Sequence, residues 1–445
     1  MFGSVVISQA RTRILKSGGW LIAKQLISML NTLVLAVLIA RHLGPEQYGV
    51  LSYAVSLVAL AAPLTTMGLR NLSLREFKLH PDETGRILGT VTVMRLCGTL
   101  LSVAVVYAVA SRFPIPHEHI AILCLILAGA ALFKTIDTIQ EYFIADQNPR
   151  PFVIYSVFVL LTFSLIKVGL IVSGQSVNAF ILANAGQTVA QSLGVVIAYR
   201  RFSGVPPGFS VDLARVPRYL KQAFPLMLGA VSAVIYLKID ILFLSYMAGK
   251  EVTGIYSVAA RLSEAWYMLP ATLALAAFPR MVELRSSAPK RYARRMQDAM
   301  DVFAAFGTLV AASSFFWAKP MIALLFGAAY LDAVFILQLY VWVGIVVATR
   351  ALIHKWLLAE ALFWGSATIH MTGATLNVGL NLLLIPIYGA AGAAVATVIS
   401  YTLAPLLLAP VIPSLRPVAV MQIKAIFWPR RIAELLPRRA RLSTE

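Results

Sequence analysis

An all-α polytopic membrane protein, with about 12 transmembrane helices in two six-helix lobes, is the fold this sequence predicts. Three observations predict it. Of the 445 residues, 59% are hydrophobic and only 13% are charged, about half the charged share of a soluble domain. Apolar runs of roughly 20 residues, enough to cross a bilayer core, recur from Trp20 to the low 400s, without the alternation of a membrane β-barrel. Finally, the chain contains one stretch twice. A shift of 205 positions carries Gly44, Glu46, Gly49, Ser52 and Ala54 onto Gly249, Glu251, Gly254, Ser257 and Ala259.

Each copy joins two apolar segments through a short glycine-bounded turn, in which glycine supplies the positive φ and serine and alanine begin the next helix. A weaker repeat at an offset of 214 sets Tyr142 on Trp356, Ala145 on Ala359, Asp146 on Glu360 and Ala179 on Ala393. The nine-residue change in offset implies an insertion, placed in the long basic loop before residue 301. Six spans per half is an even number. The halves therefore run in the same sense, related by an axis along the membrane normal, with a central cavity expected between them.

In chain order, residues 1–18 form an arm carrying Arg11, Arg13 and Lys16. The apolar segment after it is full-length and lacks a small-residue cleavage site, so no cleaved signal peptide is expected. The first lobe, 19–200, holds spans at about 19–40, 47–69, 87–110, 118–143, 151–173 and 178–199. Residues 201–217, with Gly204, Pro206, Pro207, Gly208 and Pro217, read as a linker. The second lobe, 218–415, holds spans at about 222–246, 252–278, 301–318, 331–359, 365–387 and 390–415. Residues 416–445 are a basic tail, in which Ile423 to Leu442 alternate apolar residues with arginine pairs. That pattern suits either an amphipathic segment on the anionic inner leaflet or a disordered tail that only enforces topology. Cys97 and Cys124 lie within apolar runs and read as buried free thiols.

A net charge of +19 would suggest nucleic acid in a soluble protein, but its distribution decides otherwise. On this topology 27 Lys and Arg fall on the side of the termini, and only Arg41, Arg112, Lys250 and Lys319 fall opposite. Cytoplasmic loops collect Lys and Arg, so both termini are expected in the cytoplasm and no nucleic acid partner is expected.

Seven cations fall inside spans instead: Lys24, Arg95, Lys134, Lys167, Lys238, Arg261 and Arg350. Facing lipid at roughly 2.5–3.5 kcal/mol each, they would cost on the order of 20 kcal/mol. Four acids share the spans, Asp137, Glu141, Asp240 and Glu264, too few to neutralise them all. Helical spacing lines up Lys24, Ser28 and Asn31; Arg95, Thr99 and Ser102; Lys134, Asp137 and Glu141; Asn184, Gln187 and Gln191; Ser257, Arg261 and Glu264; and His370, Asn377 and Asn381. Such polar stripes on apolar helices line a wet lumen. The substrate-binding candidates are Lys24, Asn31, Arg95, Lys134, Lys238, Arg261, Arg350 and Asn377, with Lys167 and Arg350 nearest the interface. A positive cavity suits an anionic head group such as a diphosphate, met by an Arg fork or a Lys point charge. Asp137, Asp240 and Glu264 are candidate proton or sodium sites. The plainer alternative is that Asp137 and Glu264 neutralise Lys134 and Arg261 along their own helices.

Enzyme signals are poor. No phosphate-binding loop G-x-x-x-x-G-K-[ST] is present, and the six histidines show no metal-ligand spacing, so neither metal nor other cofactor is expected. External loops near 174–178 and 388–390 leave little room for a catalytic domain.

Several segments carry a family resemblance. They are Leu38-Ile-Ala-Arg-His-Leu-Gly-Pro-Glu-Gln-Tyr-Gly49, Met67-Gly-Leu-Arg-Asn-Leu-Ser-Leu-Arg-Glu76 and Lys238-Ile-Asp240. Further on come Gly254-Ile-Tyr-Ser-Val-Ala-Ala-Arg261 and Asn381-Leu-Leu-Leu-Ile-Pro-Ile-Tyr-Gly-Ala-Ala-Gly-Ala-Ala394. Over roughly 15–410 the sequence resembles bacterial polysaccharide-export flippases of the O-antigen type. Their superfamily also holds multidrug and toxin extruders and peptidoglycan lipid flippases. The resemblance implies two six-helix lobes, alternating access and ion coupling in the cytoplasmic membrane. It implies transfer of an undecaprenyl-diphosphate-linked oligosaccharide for O-antigen, capsule or exopolysaccharide, with a polymerase and glycosyltransferases as partners. A cation-coupled extruder of the same fold is the alternative, and a membrane glycosyltransferase or polymerase a third. A major-facilitator transporter should show G-x-x-x-D-R-x-G-R-R in the second loop, and Arg70 to Arg86 lacks it.

Overall fold

The computed structural model describes residues 2–113, 115–203, 209–360 and 362–429. The side chains of Arg11, Arg13 and Lys16, linker residues 204–208 and the tail beyond 429 lie outside the described residues. Among those described the chain is helical without strands, and nine helical stretches are long and apolar enough to cross a membrane. Two of the nine are double spans: α1 (Phe2–Thr66) is broken at Gly44 and α14 (Phe363–Leu408) at Gly389. Packing divides the chain into Met1–Val234 and Ile235–Glu445.

The first unit continues with α2 (Arg70–Leu79), α3 (Thr84–Arg112), α4 (Ile120–Gly129), α5 (Thr138–Ala145), α6 (Arg150–Val172), α7 (Val177–Phe202) and the start of α8 (Val216–Met247). Side-chain contacts fix its direction of travel. Arg150, at the start of α6, lies over the Trp20 ring, while His42 bonds the Gln175 carbonyl just past the other end of α6. Tyr53 donates to the Phe113 carbonyl at the far end of α3, and Met67 lies beside Gly98 midway along α3. The first limb of α1 thus runs along α6, the chain reverses at Gly44, and the second limb returns along α3. His117 meets Asn178 at the far end, and Tyr142 bonds the Ser203 carbonyl at the near end. Six crossings result. The near end carries Arg70, Arg75, Lys78, Arg86, Arg150, Arg200 and Arg201, and the far end Arg41 and Arg112.

At the near end the first turns of α8 are bolted to α2. Glu76, 1% exposed, takes Arg75 at 3.1 Å, Arg218 at 3.7 Å and the Tyr219 hydroxyl at 3.2 Å. Gly68 (φ 66°) lies against the Ala223 and Met227 backbone, too close for any side chain.

The second unit holds the rest of α8, then α9 (Lys250–Ala265), α10 (Met268–Ser287), α11 (Pro289–Leu325), α12 (Ala333–Tyr340), α13 (Val343–Ala359), α14 and α15 (Arg416–Ile426). Arg285 bridges Glu360 at 2.9 and 3.0 Å, which brings the end of α10 to the end of α13.

The repeated turn is confirmed in its backbone. Gly44 has φ 70° and ψ 172°, and Gly249 has φ 91° and ψ 170°, a conformation essentially reserved for glycine. A third such turn, Gly327 at φ 92° and ψ 177°, was not read from the sequence. The turn is tighter than expected. Helix resumes at Pro45 and at Lys250, so Gly49, Ser52 and Ala54 and their counterparts lie inside helices instead of opening them.

The basic stretch expected as a loop before residue 301 is helix on both sides of Ala288. Thr84 and Pro289, 205 apart, start α3 and α11, but Arg112 and Leu325, 213 apart, end them. The extra residues lengthen α11 itself, to 37 residues against 29. Cys124 is buried as expected, but Cys97 is exposed, because it lies on the outward face of an apolar helix whose inward face carries Arg95 and Thr99.

Candidate functional site

In the first unit the candidate cations meet different fates. Arg95 and Glu141 form an ion pair at 2.5 Å, 3% and 5% exposed. Arg95, Thr99 and Ser102 are all buried as one stripe, and Thr99 donates back to the Arg95 carbonyl at 2.7 Å. The other stripe through Glu141 does not hold. Residues 130–137 form a 3-10 helix between α4 and α5, which changes the side-chain phase from 100° to 120° per residue. Lys134 is accordingly exposed, Asp137 half-buried and Glu141 buried. Asp137 feels Lys134 on its own segment first, and Arg95 and Lys24 from two other helices after it.

Lys24, Ser28 and Asn31 keep a common half-buried face. Lys24 reaches Gln140 at 3.5 Å and lies over the Phe152 ring at 4.8 Å, while Asn31 accepts from Ser164 at 2.8 Å. Lys167, expected near the interface, is 6% exposed and donates to Gln187 at 2.7 Å. The α7 stripe faces α6 and holds the ammonium inside.

In the second unit Lys238 pairs with Glu264 at 3.1 and 3.3 Å. Glu264 therefore serves a lysine on α8, and Arg261 is half-buried on α9. Asp240, 2% exposed, accepts from the Ile241 amide at 2.8 Å and from the Tyr256 hydroxyl. Tyr256 also bonds Thr397, and Asn377 donates to Thr397 at 3.4 Å and to Ser400 at 3.2 Å. Asn377 is fully buried, so it belongs to this network and lines no surface. Asn381 donates to the Asn377 side chain at 3.0 Å, and its own Oδ1 is buried without a hydrogen-bond partner.

Arg350 stands apart. It was expected near the interface, but its guanidinium lies over the Tyr236 and Tyr401 rings at 5.3 and 5.1 Å. It bonds the Tyr236 hydroxyl and His370 Nδ1, each at 3.2 Å. The two rings stack at 3.7 Å, and α8, α13 and α14 each contribute to the group.

A family model for a polysaccharide biosynthesis protein matches residues 14–285. The chain belongs to that family. It is also 22% identical, over 387 residues, to the probable flippase AglR of Haloferax volcanii, which covers 85% of this chain and 79% of the relative. Among solved structures, the lipid II flippase MurJ in an inward closed conformation matches with a TM-score of 0.69 and 16% identity, over 91% of this chain and 90% of that one. An inward-facing multidrug-resistance MATE transporter matches at 0.61 and 15% identity, over 92% and 96%. At these identities the likeness concerns the fold, that of an α-helical multi-pass membrane protein.

For this polysaccharide biosynthesis protein, charge in an apolar span was the signal that found the embedded cations. That signal is blind to their neutral partners. Gln140, Gln187, Tyr236, Tyr256 and Tyr401 complete the polar clusters. The tyrosines sit in apolar runs where nothing in composition separates a polar partner from core. Tyr236 and Asp240, one turn apart on α8, were the one spacing that could have pointed to them.

Proposed function

We propose that the protein is a flippase. Its substrate would be an undecaprenyl-diphosphate-linked oligosaccharide for O-antigen, capsule or exopolysaccharide, moved across the bacterial cytoplasmic membrane by alternating access. Family membership over residues 14–285 carries this reading, and a relative named as a probable flippase supports it. Span-embedded cations supply what an anionic head group needs: Lys24, held by an amide and a ring, and Arg350, held by rings and a histidine. On the positive-inside rule the end of the first unit that gathers arginines faces the cytoplasm, and the even number of spans read from the sequence assigns both termini to that side. A polymerase and glycosyltransferases would act with it on that pathway.

Ion coupling falls to Asp240. Its buried carboxylate takes the Tyr256 hydroxyl, which also bonds Thr397, an oxygen-rich set suited to a proton or a sodium ion. A cation-coupled extruder of this fold would export mainly cationic molecules, which an embedded charge of seven cations against four acids disfavours.

The test is the leaflet distribution of lipid-linked oligosaccharide in cells lacking the protein, re-expressing wild type, Arg261→Ala and Lys24→Ala and checking that each reaches the membrane. Accumulation on the cytoplasmic leaflet that wild type clears, and the variants do not, is expected. Normal export without the protein, with raised sensitivity to cationic drugs, would transfer the assignment to the extruder reading.

A further inference from the structure

We infer that the exposed basic face opening α11 docks an acidic, extended segment of another protein, an interaction that goes beyond the transport reading.

The repeat shows what the same face does in the first unit. At the offset of 205, Gly85, Arg86, Gly89 and Thr90 on α3 fall on Lys290, Arg291, Arg294 and Arg295 on α11. The α3 face is covered by the chain itself, through residues 209–212, which belong to no helix. The Ser210 amide donates to the Gly85 carbonyl at 3.3 Å, and the Asp212 amide to Thr90 Oγ1 at 2.9 Å. Asp212 has extended backbone, φ −109° and ψ 92°. A side chain at Gly89 would collide with the Ser210 carbonyl, so glycine lets the segment lie this close. Glu83 anchors the segment's end through Arg215.

In the second unit that fit is undone. The two glycines and the threonine give way to Lys290, Arg294 and Arg295, Arg86 is kept as Arg291, and Glu83 gives way to Ala288. All four cations are exposed, and among the described residues their side chains have no partner. Spaced i, i+1, i+4 and i+5, they share one face, while Tyr292, Met296 and Met300 turn the other way into the core. Asp298, the one acid among residues 289–300, is half-buried. The face also stands clear of the bilayer. Large apolar side chains exposed on α11 begin at Val302 and end at Leu324, about 33 Å at the helical rise, which matches a hydrocarbon core of roughly 30 Å. Arg295 lies about 10 Å and Lys290 about 18 Å before Val302 along the axis, past a headgroup layer of roughly 5–8 Å.

The occupant follows from charge and spacing. Lys290 and Arg294 form one row and Arg291 and Arg295 another, each about 6 Å long. Carboxylates at alternate positions of an extended chain recur about every 6.6 Å on one side, so such a segment meets both rows, and each arginine offers a carboxylate its fork. Where the first unit seats its own extended chain on glycine, the second presents a bare basic counterpart of that seat.

The experiment uses the full chain in phosphatidylcholine nanodiscs. The probe is a short fluorescent peptide of alternating Glu and Ser, with its Gln–Ser analogue as control, read by fluorescence anisotropy. Wild type is expected to bind the acidic peptide and not the analogue, less tightly as salt rises. The combined Lys290→Gln, Arg291→Gln, Arg294→Gln, Arg295→Gln variant should weaken binding by about tenfold or more. Arg294→Gln with Arg295→Gln should fall between. Arg200→Gln with Arg201→Gln, equally exposed on the first unit, should leave it unchanged. Thermal unfolding identifies a fourfold variant that fails to fold, in which case the Arg294, Arg295 pair carries the comparison. No binding by wild type, or equal binding by the variants of this face, overturns the inference. An environment-sensitive dye on Ala293→Cys, in a Cys97→Ser background, tests the lipid. Burial of that dye when phosphatidylglycerol replaces phosphatidylcholine, with no peptide present, also overturns the inference and assigns the face to anionic lipid.

Discussion

The two units share a backbone plan and differ in how they treat charge. Gly44 and Gly249 make the same turn, and Thr84 and Pro289, at the same offset, start the same helix. At that offset Arg95 falls on Met300, and at the later offset of 214 Glu141 falls on Lys355 and Ile136 on Arg350. The first unit buries an arginine with a carboxylate, and the second holds one on tyrosines. A turn is specified by φ and ψ, which only a few residue types satisfy, so it persists through a duplication. An embedded charge is specified by what it must bind or neutralise, and that requirement need not be the same in the two halves. Shared positions therefore report scaffold, and unshared polar positions are where function is to be sought.

The largest effect should come from breaking the buried pair. Glu141→Gln leaves the Arg95 guanidinium buried without its carboxylate, and Arg95→Gln leaves the reverse. Each should cost about 3–5 kcal/mol, read as a lower unfolding temperature and lower yield in detergent. Replacing both, Arg95→Met with Glu141→Leu, should cost much less than the sum of the two single changes. If instead the two single changes add, the pair is not a coupled unit and the contrast between the halves loses its main support.

The turns sharpen the comparison from the other side. Neither Gly44 nor Gly249 has any neighbour within 4 Å of an added Cβ. Alanine there would report backbone strain alone, on the order of 1–3 kcal/mol. Thermal unfolding of Gly44→Ala and Gly249→Ala should give losses of similar size. A large loss at one and none at the other would mean that the two turns are alike in angle but not in role.

A smaller loss is expected from Glu264→Gln. Its pairing with Lys238 is a quarter exposed on both sides, so the cost should be about 1 kcal/mol, between surface and buried pairs. If it matches the loss from Glu141→Gln, the second unit is as dependent on embedded pairing as the first.

Most of the fold was legible because a bilayer imposes it. Length and apolarity alone locate spans, and a positive-φ glycine marks where one span reverses into the next. What stayed hidden has physical causes. The charged stretch before residue 301 reads as a loop by composition, yet Lys290, Arg291, Arg294 and Arg295 form the first turns of α11. The 3-10 segment over Lys134 and Asp137 has the composition of any apolar helix, yet its tighter winding moved Lys134 out of the stripe. Spacing correctly grouped Lys24 with Asn31 and Arg95 with Thr99, where the helix is regular. It could not pair Glu264 with Lys238 or Asp240 with Tyr256, because those contacts join two helices and no single-helix period encodes them.

The smallest effect is expected at Arg285. Its fork on Glu360 has good geometry, at 2.9 and 3.0 Å, better than many buried pairs, and geometry alone would rank it with Arg95. Exposure decides otherwise. The Arg285 side chain is 46% exposed, and water and salt compete for both partners. Arg285→Gln should leave the unfolding temperature near wild type at physiological salt, with any loss visible only at low ionic strength. Arg95→Gln should show the same loss at both salt concentrations, since a pair sealed in an apolar helix bundle is screened little. Unfolding curves of the two variants at low and high salt would separate a pair that holds α10 to α13 from one that merely lies between them. A salt-independent loss at Arg285 would place that contact among the structural pairs.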